Sequence, residues 1–470
     1  MKRLILVLII SLGILGILAS IIGFFLIDTT LGPSSSSLEN CTTLKKTNDG
    51  GVNIVIFSPK KEDAMQYANY FVQKKPYNNY KDDFNFYYIG SYSPVCELYK
   101  GIALLCYSKD LVKKASSCPN DQIVVLSNDY GTSIRSSNYL NVMSINLKHP
   151  LSVFLHEFGH SFVNLAEEYV PATIPRNSAG NCVDDCIKFN GKNDGCYLGC
   201  SRSDYSRSIE EGVMRTLSSE QYGSFNEAIL TTKVLSIISP TSRITGKAAE
   251  DTITIDLAPA NYRSDPALPC DVSNYLLIEG QAANGHALIT NQTITEGCTG
   301  DSGAGAYSYS LILKNDTKIK GGSFDPETIF TDAPPEDTGE VLTSPGNEIE
   351  GETYSSDRSF YLKVPLIEDA KAIEIKEPGL AISISIPICN DLKGDANGDG
   401  KIDNQDITHI TDHLEGNIIY CESNADFNSD GTISLKDASD LSEFLQSSIS
   451  GFSIKRITGW FLKPIQLISK

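Results

Sequence analysis

The stretch HEFGHSFVNLAEEY, from His156 to Tyr169, contains two histidines four positions apart. On a helix, residues four positions apart are neighbours on one face, so both imidazoles can reach a single metal ion. Glu157 follows the first histidine and can take a proton from a metal-bound water. The spacing of His156, Glu157 and His160 therefore predicts one catalytic zinc ion and the hydrolysis of amide bonds.

A third protein ligand is required, and two acidic residues follow the histidines. If the helix continued straight, Glu167 would lie roughly 10 Å along the axis from His160, too far to share a metal ion. Asn164 tolerates the left-handed backbone conformation and can end the helix. The chain can then turn back, and either Glu167 or Glu168 can supply a carboxylate oxygen.

Strands alternate with helices before the histidine pair, which predicts an α/β domain at residues 51–240. A final helix is expected to start at Pro150, because proline is favoured in the first helical turn. The expected strands are Asn53–Phe57, Phe84–Ile89 and Gln122–Ser127. A helix is expected at Lys61–Gln73, between the first two strands.

The histidine stretch resembles the signature HEFGHSF-x-x-LA-D/E-E-Y of the IgA-peptidase family of zinc metallopeptidases. The similarity covers about Val52 to Leu217. It implies a metzincin-like peptidase domain that acts on a protein or peptide, with Glu167 preferred over Glu168 as third ligand. EEGVMR, from Glu210 to Arg215, resembles the methionine turn beneath the zinc of metzincin-like enzymes, with Met214 in the distinctive position.

The residue that would stabilise the oxyanion stays open among four candidates. These are Tyr169, Tyr197, Tyr205 and Arg215, since the sequence gives no geometry to choose among them.

Residues 241–388 change to short runs of alternating apolar and polar residues, such as DTITIDL and YSYSLILK. This pattern is typical of an all-β sandwich. Within it, Asp325 to Ser356 is rich in Pro, Glu, Asp, Thr and Gly, which predicts a long exposed loop. Cys270 and Cys298 are expected to form a disulfide in this domain.

An acidic motif occurs twice near the C-terminal end, as DANGDGKIDNQD and DFNSDGTISLKD. Side-chain oxygens at positions 1, 3, 5 and 12, with glycine at position 6, have the spacing of a calcium loop, in which position 7 binds through its backbone carbonyl. Two structural calcium ions are therefore predicted. Their candidate ligands are Asp395, Asn397, Asp399, Lys401, Asp403 and Asp406 in the first loop, and Asp426, Asn428, Asp430, Thr432, Ser434 and Asp437 in the second.

Residues 389–448 resemble a type I dockerin. The resemblance rests on aspartate at position 12, a hydrophobic residue at position 8 (Ile402 and Ile433) and one helix after each loop. It implies a small all-α module that docks onto a cohesin-like partner. A disulfide between Cys389 and Cys421 is expected to join its two halves.

The N-terminus carries Lys2 and Arg3 before an apolar run from Leu4 to Ile27. This run is long enough to span a bilayer, and the basic residues place the chain after it outside the cell. Residues 1–30 are thus expected to be a membrane anchor, or a signal whose cleavage would yield a secreted protein. Residues 31–50 are expected to be a linker.

All 12 cysteines follow the apolar run, on the side of the membrane where disulfides persist. The local group Cys182, Cys186, Cys196 and Cys200 fits either a thiolate zinc site or disulfides. The oxidising compartment favours disulfides, with the pairing left open.

The chain has a net charge of −19, with 58 acidic and 39 basic residues, which argues against a nucleic-acid partner. Residues 449–470 form a basic amphipathic tail. The sequence thus predicts a multidomain cell-surface or secreted protein with an α/β metzincin-like peptidase domain, a β-sandwich and a paired calcium-loop module. The alternative is a non-catalytic surface adhesion or scaffold protein whose zinc site is vestigial or structural.

Overall fold

The computed structural model describes residues 38–238, 273–300, 303–332, 354–355, 358–367, 369–379, 383–389, 392–415 and 421–449 of the 470-residue chain. The predicted anchor at Leu4–Ile27, Cys270 and residues 450–470 of the basic tail lie outside these ranges. Within the described ranges, no helix is both long enough and apolar enough to cross a bilayer.

Strands alternate with helices in the N-terminal part of the described chain. The strands are β1 (Thr42–Lys45), β2 (Val52–Phe57), β3 (Phe84–Ile89), β4 (Glu97–Tyr99), β5 (Ala103–Leu105), β6 (Gln122–Ser127), β7 (Ser137–Tyr139), β8 (Val142–Asn146), β9 (Tyr197–Cys200) and β10 (Arg202–Arg207). The α-helices are α1 (Lys61–Phe71), α2 (Lys109–Ala115), α3 (Ser152–Val163) and α4 (Ser224–Ile238). Helix α3 therefore begins two residues after Pro150, and α1 ends two residues before Gln73.

Strands dominate the following part of the chain. They are β11 (Ser273–Ala283), β12 (His286–Gly297), β13 (Tyr307–Leu313), β14 (Lys318–Phe324), β15 (Thr328–Thr331), β16 (Tyr354–Ser355), β17 (Ser359–Pro365), β18 (Ala370–Lys376) and β19 (Ser383–Pro387).

An eight-stranded mixed sheet supports helix α3. Its strand order is β1, β3, β2, β6, β8, β7, β15 and β16. Strands β3, β2, β6 and β8 are parallel, whereas β7 runs antiparallel to β8 and β15 runs antiparallel to β7. One face of α3 packs on this sheet and on α1 through a core that includes Phe154, Phe158 and Phe162. Helix α3 also carries His156, Glu157 and His160.

The prediction of an exposed loop from Asp325 to Ser356 is wrong at both ends. Thr328–Thr331 pairs with Ser137–Tyr139, and Tyr354–Ser355 pairs with Thr328–Thr331, so both segments extend the first sheet. Ile329 and Phe330 are buried. A four-residue strand next to proline and acidic residues carries little local signal, and its partner lies almost two hundred residues earlier in the chain.

The alternating region forms two facing sheets. One has the order β12, β11, β17 and the other the order β14, β13, β18, β19. Apolar residues from both sheets, among them Ile278, Leu311 and Ile373, fill one core between them. The opposite face of β11 adds Tyr275 and Leu277 to a core shared with β2 and β6.

The C-terminal module contains α5 (Asn404–Leu414), α6 (Glu422–Ala425) and α7 (Leu435–Ile449). Its buried core is small and consists of Ala396, Ile410, Ala425, Ala438 and Leu441.

Disulfides lie where the sequence predicts them within the calcium module and the local cysteine group. Cys389 is bonded to Cys421, which confirms that prediction. The local group pairs as Cys182–Cys200 and Cys186–Cys196, which excludes a thiolate zinc site there. Two further disulfides, Cys41–Cys118 and Cys96–Cys106, are not predicted from the sequence.

Candidate metal centres

Helix α3 places His156 and His160 side by side in the interior. His156 is 0% exposed and His160 is 2% exposed. The Nδ1 atom of His156 lies 2.9 Å from the carbonyl oxygen of Val213, and that of His160 lies 2.7 Å from the carbonyl oxygen of Leu165. Because a carbonyl can only accept, each Nδ1 carries a proton, which leaves each Nε2 to face Glu167 or a metal ion.

Helix α3 ends at Asn164, where the backbone enters the left-handed region with φ 58° and ψ 44°. The N–H of Asn164 donates to the carbonyl of His160 at 2.9 Å, and the N–H of Leu165 donates to the carbonyl of Gly159 at 3.2 Å. These bonds satisfy carbonyls that the end of the helix would otherwise leave without partners. The chain then reverses and returns toward the histidines.

The reversal brings Glu167 to the histidine pair. Its Oε1 lies 3.0 Å from Nε2 of His160 and its Oε2 lies 3.4 Å from Nε2 of His156, while the two Nε2 atoms are 3.1 Å apart. Ligands of a tetrahedral zinc ion at about 2.1 Å would be roughly 3.4 Å from one another. The three side chains therefore fit a zinc ion in both donor type and spacing.

The charges of this cluster are strongly coupled. Burial raises the pKa of Glu167, but the imidazoles of His160 and His156 outweigh it and lower that pKa to about 2. Burial opposes protonation of His156, yet the Glu167 carboxylate raises the pKa of that histidine to about 10. Both carboxylate oxygens of Glu167 are buried and accept no hydrogen bond. A buried anion without a hydrogen-bond donor suits a cation as its partner.

Glu168, the other candidate ligand, points away from the cluster. Its Oε1 accepts hydrogen bonds from the side-chain amides of Asn181 at 3.1 Å and Asn226 at 2.8 Å. Burial raises the pKa of Glu168 to about 7. Asn181 also bonds the backbone N–H and carbonyl of Ala166, both at 2.8 Å. Glu168 and Asn181 thus brace the turn that positions Glu167.

Met214 lies directly against helix α3. A Cβ atom added to Gly159 would stand 2.8 Å from the Met214 sulfur, so only glycine allows this approach. The carbonyl of Met214 accepts the backbone N–H of Glu168 at 2.9 Å, and the neighbouring carbonyl of Val213 holds His156. The turn around Met214 therefore supports His156 and the segment that carries Glu167.

Glu157 is 0% exposed, and both of its carboxylate oxygens are without hydrogen-bond partners. Burial raises the pKa of Glu157 well above its ordinary value; nearby His156 opposes the shift, and the carboxylates of Asp332 and Glu167 increase it. A carboxyl with a raised pKa can hold a proton and release it, as a general acid and base must.

A wall of this centre includes Phe330, Thr331 and Asp332, which the sequence does not single out. The ring of Phe330 stacks on that of His160, with centroids 4.0 Å apart and planes at 15°. The Tyr169 hydroxyl donates to the carbonyl of Thr331 at 3.1 Å. Asp332 pairs with His149, whose Nδ1 lies 3.0 Å from Oδ2. Tyr169 is the last residue of the histidine stretch and one of the four oxyanion candidates, whereas Phe330 and Thr331 are brought in by the pairing of β15 with β7.

The two acidic loops have nearly the same geometry. In the first, Asp395 accepts the N–H groups of Asp399 and Gly400 at 3.0 and 2.9 Å, and Asp406 accepts those of Asn397 and Asp403 at 3.1 and 2.8 Å. In the second, the equivalent bonds are made by two other aspartates. Asp426 accepts from Asp430 and Gly431 at 3.1 and 3.0 Å, and Asp437 accepts from Asn428 and Ser434 at 3.1 and 2.9 Å.

Each loop is therefore a closed turn whose oxygens face inward. Gly400 and Gly431 have φ of 85° and 87°, which a side chain would strain. Asp395, Asp406 and Asp437 are fully buried, although buried carboxylates are unfavourable without a cation. The donor set and the loop spacing fit calcium.

A family model for the dockerin type I domain matches residues 393–446. The chain contains a type I dockerin domain. The matched residues include both acidic loops, α5 and most of α7. No curated protein matches the chain.

Proposed function

We propose that the chain is an exported zinc-dependent endopeptidase that is held in place by its dockerin domain. The observation that carries the peptidase proposal is the convergence of His156, His160 and Glu167, whose ligand atoms all lie within 4.8 Å of one another. A second buried carboxylate, Glu157, lies beside them without a hydrogen-bond partner.

In this proposal the residues have distinct roles. His156, His160 and Glu167 hold a zinc ion, which supplies an acidified water and polarises the scissile carbonyl. Glu157 accepts a proton from the attacking water and delivers it to the leaving amine. Val213 and Leu165 fix the histidine rings through their carbonyls, and such outer contacts commonly affect metal affinity about 10- to 100-fold.

The proposal is tested with the Glu157→Gln variant. Glutamine keeps the size of the side chain but cannot act as a base, so cleavage of an unfolded protein such as casein should fall by about 100-fold or more. Zinc content, measured by mass spectrometry of the metal, should stay at one ion per chain. If the unchanged protein loads zinc but cleaves no substrate in a broad proteomic digest, the peptidase proposal is wrong.

The dockerin domain supports a docking role. We propose that two calcium ions occupy the loops that start at Asp395 and Asp426, and that the folded domain binds a cohesin-like partner outside the cell. Five disulfides among the described residues suit that compartment, because disulfides persist in oxidising surroundings.

A second candidate is a non-catalytic adhesion or scaffold protein with a structural zinc site. The observation that favours it is the complete burial of Glu157 and of the candidate zinc ligands, because structural zinc sites are closed. In this case Glu157→Gln would change neither zinc content nor any measured cleavage.

A further inference from the structure

The candidate zinc site is sealed by the chain itself. His156, Glu157 and Glu167 are each 0% exposed. An endopeptidase has to bring a peptide carbonyl next to the metal and place its general base within hydrogen-bond reach of the attacking water. A substrate can therefore reach these groups only if a covering segment moves away.

Strand β15 is one element that covers the site, since Phe330 stacks on the His160 ring. Its residues pair antiparallel with β7, with Ile329 opposite Tyr139, Phe330 opposite Asn138 and Thr331 opposite Ser137. Among the strands that the structure describes, only β16 lies beyond β15, so β7 would be the edge of this sheet if β15 and β16 were absent. The free edge of a sheet accepts an extended peptide through main-chain hydrogen bonds, with side-chain pockets giving specificity.

Three contacts hold β15 and the residue after it against the candidate zinc site and the sheet. Phe330 lies over the His160 ring at a centroid distance of 4.0 Å, and the Thr331 carbonyl accepts the Tyr169 hydroxyl. The chain beyond is held by Asp332, whose N–H donates to the Ser136 carbonyl at 3.3 Å.

The ends of the strand are tied to the surrounding structure by a few polar contacts. Before the strand, the Pro326 carbonyl accepts the Tyr139 hydroxyl at 3.0 Å, and Glu327 pairs with Arg176 at 3.5 Å. After it, Asp332 pairs with His149 at 3.0 Å. The strand has four residues and lies near one margin of the sheet, so it can separate without unfolding the parallel strands behind it, although Ile329 then leaves the apolar core that it shares with Tyr139.

We infer that Thr328–Thr331 is an internal inhibitory strand that occupies the substrate groove and leaves β7 when a substrate binds. The inference rests on the proposed peptidase function and extends it to the class of ligand. That ligand is an extended peptide that pairs with Ser137–Tyr139 and places an aromatic or large apolar side chain over His160.

The test uses the full zinc-loaded chain and a peptide hydroxamate containing phenylalanine, a probe that binds zinc without being cleaved. Phe330→Ala removes the ring from His160, so probe association should become about tenfold faster, as should casein cleavage. Phe330→Tyr keeps a ring over His160 and should resemble the unchanged chain. Equal association rates for Phe330→Ala and the unchanged chain, at equal zinc content, would overturn the inference.

Hydrogen exchange on the unchanged chain provides a second measurement that requires no variant. Adding the probe should raise amide exchange in Thr328–Thr331 while Ser137–Tyr139 stays protected by the bound peptide. Unchanged exchange in Thr328–Thr331 with the probe bound would also overturn the inference. If Phe330→Ala binds the probe faster but neither protein cleaves casein, the strand inference holds and the peptidase proposal fails.

Discussion

At the scale of single residues, two adjacent glutamates have opposite surroundings. Glu167 faces two imidazole nitrogens and accepts no hydrogen bond, whereas Glu168 accepts two amide hydrogen bonds. The histidines keep Glu167 ionised, with a pKa of about 2, and burial raises the pKa of Glu168 to about 7. The same residue type therefore serves as a candidate ligand in one position and as a support in the next.

This difference predicts how matched variants will bind zinc. Glu167→Gln removes a charged oxygen from the proposed ligand set and should weaken zinc binding by about 100-fold or more, since outer contacts alone are worth 10- to 100-fold. Glu168→Gln keeps an oxygen that can accept both amide hydrogen bonds, so its zinc affinity should change by less than about threefold. Competition with a chromogenic chelator measures both. A greater loss of zinc affinity in Glu168→Gln than in Glu167→Gln would show that Glu167 is not the third ligand.

At the scale of the elements, the end of α3 determines whether the site can form. Asn164 has φ 58°. This conformation costs most residues that have a Cβ roughly 1 kcal/mol, but asparagine tolerates it. Its side-chain amide also donates to the carbonyls of Arg176 and Asn177, both at 3.3 Å.

Substitution at Asn164 should therefore act on both stability and metal binding. Asn164→Ala is expected to lower the free energy of unfolding by about 1 to 2 kcal/mol and to weaken zinc binding, because the helix end no longer favours the reversal to Glu167. Asn164→Gly loses the same two amide hydrogen bonds but accepts the left-handed conformation, so it should be about 1 kcal/mol more stable than Asn164→Ala. Denaturant unfolding and chelator competition measure the two effects. An alanine variant that behaves like the glycine variant would show that the backbone conformation is not limiting.

The local parts of the candidate sites could be predicted from the sequence. The histidine helix, its end at Asn164 and the calcium loops are local patterns, in which the spacing of a few residues determines the geometry. The pairing of Thr328–Thr331 with Ser137–Tyr139 is not local, and four residues give no indication of a partner so far away. Phe330 and Asp332 therefore could not be assigned to the site beforehand.

At the scale of the whole molecule, the chain combines a region with extensive apolar cores and a module with almost none. The first sheet, the helices and the sandwich share three large apolar clusters. Among the described residues of the dockerin domain, five apolar residues are fully or nearly buried in its own core. Small domains with so little apolar burial commonly depend on a metal ion or a disulfide for stability.

This contrast predicts two separate thermal transitions with different metal dependence. Calcium at 100 times its dissociation constant would stabilise the dockerin domain by about 2.7 kcal/mol per site. Removing calcium with a chelator should therefore lower the melting temperature of this domain, because Asp395, Asp406 and Asp437 are then buried without a balancing charge. The transition of the larger region should move little, since its apolar cores contain none of these loops.

Calorimetry of the full chain with calcium and with chelator measures both transitions. The double variant Asp395→Ala and Asp426→Ala lacks the first ligand of each loop and should lose the calcium response. Glu443→Gln, which changes an exposed acidic residue of α7, should keep it. Binding to a type I cohesin should likewise be lost in the double variant and kept in Glu443→Gln, because docking requires a folded domain. A calcium response that survives in the double variant would mean that the ions bind elsewhere in the chain.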